Sequence, residues 1–179
     1  MPILSAETNL YPENLLDGLS AEPSDRRWWA LHTKSRQEKA VARQLLSREI
    51  PFFLPLVKRR SICRGRRIAS IVPVFAGYMF LFGTEEERGT SLTTNRIVRT
   101  LLAPNGMRLR GDLKRIHRLV ASGAPLTVET RLAAGDWVRV KYGPFVGLEG
   151  TVLQRHGKTR LVVSIDFLKQ GASVEIDDV

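Results

Sequence analysis

The sequence predicts an α+β protein: a ferredoxin-like antiparallel sheet with helices on one face, followed by a small β-barrel. Three observations carry this. Between residues 26 and 123, strand-like runs of β-branched and aromatic residues alternate with helix-initiation signals. Beyond a Gly- and Pro-containing break, the pattern changes to short strands separated by glycine turns. Charge divides the chain in the same places: residues 1–25 hold five acids and no Lys or Arg, residues 26–130 hold 21 basic and 7 acidic residues, and residues 131–179 hold 7 and 6.

Residues 1–25 mix Pro, Asn, Asp and Ser without a period and read as a mobile acidic tail. Trp28-Trp29-Ala30-Leu31-His32-Thr33 is a strand, and Ser35-Arg36-Gln37-Glu38 has capping-box spacing for a helix ending before Pro51, with Val41 and Leu45 inward. Phe52 to Val57 is a second strand. Lys58 to Ile68 reads as a projecting hairpin that turns near Arg64-Gly65, and Val72 to Phe82 is the returning strand. Thr84-Glu85-Glu86-Glu87 opens a short helix toward Leu92, Ile97 to Leu102 is a fourth strand, Asn105-Gly106 turns, and Asp112 caps a last helix bearing Leu113, Ile116 and Val120. The β-α-β-β-α-β-α order gives the ferredoxin-like domain over residues 26–122. Residues 123–130 read as a linker and residues 131–179 as the barrel, with strands at Gly135–Val140, around Leu148–Val152, at Leu161–Ile165 and at Ser173–Ile176.

A formal net charge of +10 over 179 residues implies a polyanionic partner. The single cysteine excludes an internal disulfide and a Cys-based zinc cluster. His32, His117 and His156 lack ligand-spaced neighbours, so no metal site is expected. Without a phosphate loop, nucleophile elbow or dinucleotide fingerprint, neither a catalytic residue nor a cofactor is expected. No apolar run approaches the roughly 18 residues of a membrane helix, and the N-terminus has no secretory pattern, so a cytoplasmic protein with no membrane partner is expected; a monomer is also expected. Lys58, Arg59, Arg60, Arg64, Arg66 and Arg67 stand in the hairpin without an acid among them, which favours contact with nucleic-acid phosphates. Cys63 is an incidental hairpin residue. Phe75, Tyr78 and Phe80 suit core packing on pattern alone; alternation puts Tyr78 and Phe80 on one face and Phe75 opposite, unless the chain bends at Ala76-Gly77.

Gly135-Asp136-Trp137-Val138-Arg139-Val140, Gly143-Pro144-Phe145 and Leu148-Glu149-Gly150-Thr151-Val152 resemble a KOW motif. Arg27-Trp28-Trp29-Ala30-Leu31, the basic hairpin and Val74-Phe75-Ala76-Gly77-Tyr78-Met79-Phe80 resemble the NusG N-terminal domain. Both, in this order, resemble the NusG family of transcription elongation and antitermination factors over residues 26–178. The resemblance implies an SH3-like fold for the barrel. It implies an N-terminal domain that docks an open, concave apolar face on the clamp helices of the largest RNA polymerase subunit and suppresses pausing or termination. It also implies a KOW domain that recruits a small-subunit ribosomal protein or a termination factor.

On the family pattern, Phe75, Tyr78 and Phe80 are the clamp-helix contacts, and Ala76 replaces the family's Pro, leaving the backbone there less rigid. Thr90 and Ser91 loosely match a polar contact with the facing polymerase lobe. The hairpin is similar to that of the specialised RfaH-like branch, in which Lys34, Thr93, Asn95 and Arg96 fall near positions that meet non-template DNA. Phe167 and Leu168 match a partner-binding corner of the KOW domain. A ribosome-associated RNA-binding protein is the alternative, and the near-neutral barrel argues against it. The alternating Val, Ile and Thr of the barrel favour strands over a helical switch.

Overall fold

The computed structural model describes residues 7–18, 23–129, 135–155 and 157–176, which fall into two units, 1–106 and 107–179. The first unit is built on a five-stranded antiparallel sheet. Its strands are β1 (Leu10–Tyr11), β2 (Arg27–Thr33), β3 (Phe52–Phe53), β6 (Tyr78–Gly83) and β7 (Ile97–Leu102), in the order β1-β3-β6-β2-β7. The intervening β4 (Leu56–Cys63) and β5 (Arg66–Pro73) pair only with each other. Helix α1 (Glu38–Ser47) lays Val41, Ala42 and Leu45 on a core with Leu31, Phe52, Met79, Leu81 and Ile97. Helix α2 (Glu85–Leu92) opens with the expected capping box: the Glu87 amide donates to Thr84 Oγ1 at 3.2 Å, and the Thr84 amide donates to Glu87 Oε2 at 2.8 Å.

The acidic tail is not a free tail over residues 7–18. Leu10 and Tyr11 pair with Phe53 and Phe52, Leu16 is buried, and Glu7 forms ion pairs with Lys39, at 3.5 Å, and Arg43. This short strand covers an edge of β3 that would otherwise leave backbone groups unpaired. The rest of that expectation, at residues 1–6 and 19–22, lies outside the described residues.

The Ser35 capping box does not form. The position preceding α1 is Gln37, which makes no side-chain cap, and Glu38 turns inward instead.

In the second unit, helix α3 (Gly106–Ala121) begins directly after Asn105, a residue favoured just before a helix. Asp112 is therefore a mid-helix residue and not a cap. It is buried and paired with Arg115, one turn on.

The barrel strands are β8 (Thr127–Glu129), β9 (Asp136–Arg139), β10 (Glu149–Arg155), β11 (Lys158–Ile165) and β12 (Gln170–Glu175), ordered β8-β12-β11-β10-β9. With the first sheet they make the α+β pairing of a ferredoxin-like domain and an SH3-like barrel. The expected linker ends inside this sheet: β8 pairs with β12, and buried Glu129 accepts a 2.7 Å hydrogen bond from Ser173 Oγ. Thr130, the barrel positions 131–134 and 177–179, and His156 lie outside the described residues. Among the described residues, no helix is long and apolar enough to cross a membrane.

Candidate functional site

Three loops converge at one end of the first sheet, because β2 ends where β6 and β7 begin. His32 pairs with both Tyr78 and Arg99, and Thr33 with Ile97. Strand β3 runs toward the same end, so the β4–β5 hairpin leaves the sheet there, with its root closed by the Val74 amide donating to the Pro55 carbonyl at 2.8 Å.

The expected returning strand is broken by the turn Phe75-Ala76-Gly77-Tyr78. The Tyr78 amide donates to the Phe75 carbonyl at 3.0 Å, and Gly77 has φ +79°, the positive value that a type II turn requires at its third position. Ala76 occupies the second position, where such turns favour Pro. Two neighbours hold the turn: the Gly77 amide donates to Glu38 Oε1 at 2.7 Å, and the Thr33 amide donates to the Gly77 carbonyl at 2.8 Å. The inward Glu38 carboxylate thus satisfies a turn amide.

Register puts Trp28 opposite Phe82, Ala30 opposite Phe80 and His32 opposite Tyr78, on the sheet face away from α1. The turn brings Phe75 round to meet Phe80 edge-on, with centroids 6.3 Å apart and planes at 90°. Both rings have 0% exposure. The expectation of three aromatics lining an open surface is corrected accordingly: Phe75 and Phe80 are packing residues, because the bend aims Phe75 inward. Tyr78 stays half-buried and stacks on His32, with centroids 4.9 Å apart and planes 22° from parallel. His32 Nδ1 is buried and finds no hydrogen-bond partner among the described residues. Sequence alone gave His32 no role beyond its exclusion as a metal ligand; its place opposite Tyr78 comes only from the strand register.

Thr90 is half-buried and its carbonyl accepts from Arg48 Nη1 at 2.9 Å. Ser91 is fully buried and its hydroxyl donates to the Arg88 carbonyl at 2.6 Å, so its expected polar contact with a partner is corrected to an internal helix bond.

Around the sheet end, Lys34, Thr93 and Asn95 are exposed and Arg96 is half-buried. The Lys34 amide donates to the Arg96 carbonyl at 2.8 Å, and the Arg96 guanidinium bonds Gln37 Oε1, so these two expected nucleic-acid positions share one surface. Thr93 Oγ1 donates to the Thr90 carbonyl at 2.7 Å. Arg36 and Arg99, which the sequence reading did not select, are exposed on the same loop and beside His32 respectively. The six hairpin cations, Lys58, Arg59, Arg60, Arg64, Arg66 and Arg67, are all exposed. Their turn is Arg64-Gly65, with φ 50° and 75°, as a tight two-residue hairpin loop of the I′ kind requires.

In the second unit, Phe167 and Leu168 lie half-buried in a single turn, Asp166–Leu168, between β11 and β12. Asp166 anchors that turn by accepting from Ser164 Oγ at 3.1 Å and pairing with Arg108. Arg115 connects α3 to the barrel, lying 5.5 Å from the Trp137 ring centre and 3.9 Å from Glu149 Oε2. Burial pushes the Asp112 carboxyl up to about 6, against the pull of the Arg115 guanidinium.

A mixed sheet-and-helix domain followed by a small barrel, with rings and exposed cations gathered at one sheet end, defines a two-module α+β class of protein. Residues 26–132 match the family described as transcription termination factor NusG, and residues 134–166 match the KOW motif. The chain belongs to the NusG family. It is similar to the transcription termination/antitermination protein NusG of Staphylococcus aureus strains Mu50, N315 and MW2. Each is 25% identical over 178 residues, covering 89% of this chain and 96% of the relative. The family is one of transcription factors that act with RNA polymerase, not a family of enzymes, and the chain's role is that of a transcription factor.

Proposed function

We propose that this chain binds a transcribing RNA polymerase through the sheet end that carries Tyr78 and His32, with the clamp helices of the largest subunit as the docking site. The stacked pair supplies a half-buried aromatic surface. The loop residues Lys34, Thr93, Asn95 and Arg96 and the hairpin cations lie against non-template DNA or nascent nucleic acid. Holding the clamp closed lowers pausing or termination. The KOW barrel recruits a further factor, a small-subunit ribosomal protein or a termination factor, at the Phe167–Leu168 corner.

The observation that carries this reading is the convergence of one part-exposed ring pair and exposed cations at a single sheet end, in a member of the NusG family. The test is the lifetime of a defined pause in reconstituted transcription. Wild type is expected to shorten the pause, and Tyr78→Ala to lose most of that effect. An equal effect from both proteins would remove the assigned surface.

A further inference from the structure

The β4–β5 hairpin is basic on both of its faces. Residues paired across an antiparallel ribbon share a face, and neighbours along a strand alternate. The register Lys58↔Ile71, Arg60↔Ala69 and Ile62↔Arg67 therefore places Lys58, Arg60 and Arg67 on one face. The register Arg59↔Ser70, Ser61↔Ile68 and Cys63↔Arg66 places Arg59 and Arg66 on the other, with Arg64 at the tip. Every residue from Lys58 to Ile71 is exposed, so neither face is covered by the domain. Among the described residues, no carboxylate forms an ion pair with any of the six cations.

An isolated two-stranded ribbon is marginal in water, and six unpaired like charges weaken it further. A phosphate track along one side would neutralise one face and leave the cations opposite it uncompensated. Phosphate walls on both sides occur where a ribbon enters a nucleic-acid groove. The B-DNA major groove, about 12 Å wide, admits a two-stranded ribbon as it stands, whereas the minor groove, about 6 Å wide, takes protein elements of that size only where the duplex is bent and the groove opened, at a cost in deformation energy. The major groove of A-form RNA is too deep and narrow for side chains to read. Beyond Lys58 each strand continues far enough for the ribbon to project roughly 20 Å, more than the groove depth. Ile62, 75% exposed near the tip, suits apolar contact with a thymine methyl group.

We infer that the β4–β5 hairpin inserts into the major groove of duplex DNA, its two basic faces meeting the phosphates of the two opposing strands. This rests on the reading above that the hairpin meets nucleic acid, and it selects the duplex as the form met.

The full chain is titrated by fluorescence anisotropy against a 20-base-pair mixed-sequence DNA duplex, one of its single strands, and the RNA duplex of the same sequence, over a range of salt concentrations. One variant removes the first face (Lys58→Ala, Arg60→Ala, Arg67→Ala) and another the second (Arg59→Ala, Arg66→Ala); these exposed changes leave folding nearly untouched. Duplex DNA is expected to bind at least tenfold more tightly than either other ligand. The slope of log affinity against log salt is expected to become shallower by about 2–3 when the first face is removed and by about 2 when the second is removed, at about 0.9 per phosphate contact. A single strand bound as tightly as the duplex, or a slope that responds to one face only, overturns groove insertion while leaving nucleic-acid contact by the hairpin intact. If neither variant changes the affinity for any of the three, the contact itself falls.

Discussion

Asp112 makes the second unit sensitive to pH. Burial raises its pKa from the ordinary 3.8 to about 6, with Asp166 adding to the rise and Arg115 opposing it. The folded state therefore holds this proton more tightly than the unfolded chain. The resulting stabilisation is complete below about 3.8 and is lost as pH rises through about 6. The loss amounts to about 3 kcal/mol at most. Asp112→Asn is expected to flatten that dependence, measured by hydrogen exchange of the barrel amides in the full chain between pH 4 and pH 7. An unchanged profile would mean that another group titrates. Asp112 looked like a helix cap because short polar side chains favour that position, but the helix starts six residues earlier, and the side chain's burial depends on what α3 packs against. Glu38 misled in the same way. Its spacing from Ser35 fits a capping box, while its actual partner, the Gly77 amide, is distant in sequence and visible only once the turn has formed.

Close packing at Gly150 tests the barrel as an element. A Cβ there would clash with the Val162 carbonyl oxygen of the neighbouring strand, and backbone cannot give way cheaply. Gly150→Ala is expected to destabilise the barrel by about 2 kcal/mol or more, read as faster exchange of the β10 and β11 amides. Gly157→Ala, at φ 73° with open space around it, is expected to cost only about 1 kcal/mol. Equal effects would contradict the packing argument. Elements with strong local signals were legible in the sequence: the Arg64-Gly65 hairpin, the Thr84–Glu87 capping box and the glycine-spaced barrel strands. Elements set by pairing alone were not. Leu10–Tyr11 and Thr127–Glu129 are too short to show a period, and each exists because a neighbouring strand edge receives it. The break between β5 and β6 was foreseen only as a bend. Its consequence, the burial of Phe75 against Phe80, required the register of β6 on β2 and β3.

Across the whole molecule the charge is partitioned, and residues 26–130 carry the large basic excess. The hairpin and the loops beside Tyr78 hold many of those cations exposed, which suits a factor that meets a protein surface and nucleic acid together. The basic character and the division into two domains were readable from composition and the motifs. The burial of Phe75 and Phe80 beside a part-exposed Tyr78 and His32 was not, because exposure is a tertiary property. The most direct test of the account is the affinity of the full chain for purified RNA polymerase, compared with that of Tyr78→Ala combined with His32→Ala, alongside a urea denaturation of each. The account predicts at least a tenfold weaker complex for the variant with its folding transition retained. Polymerase bound equally well by the variant would contradict it.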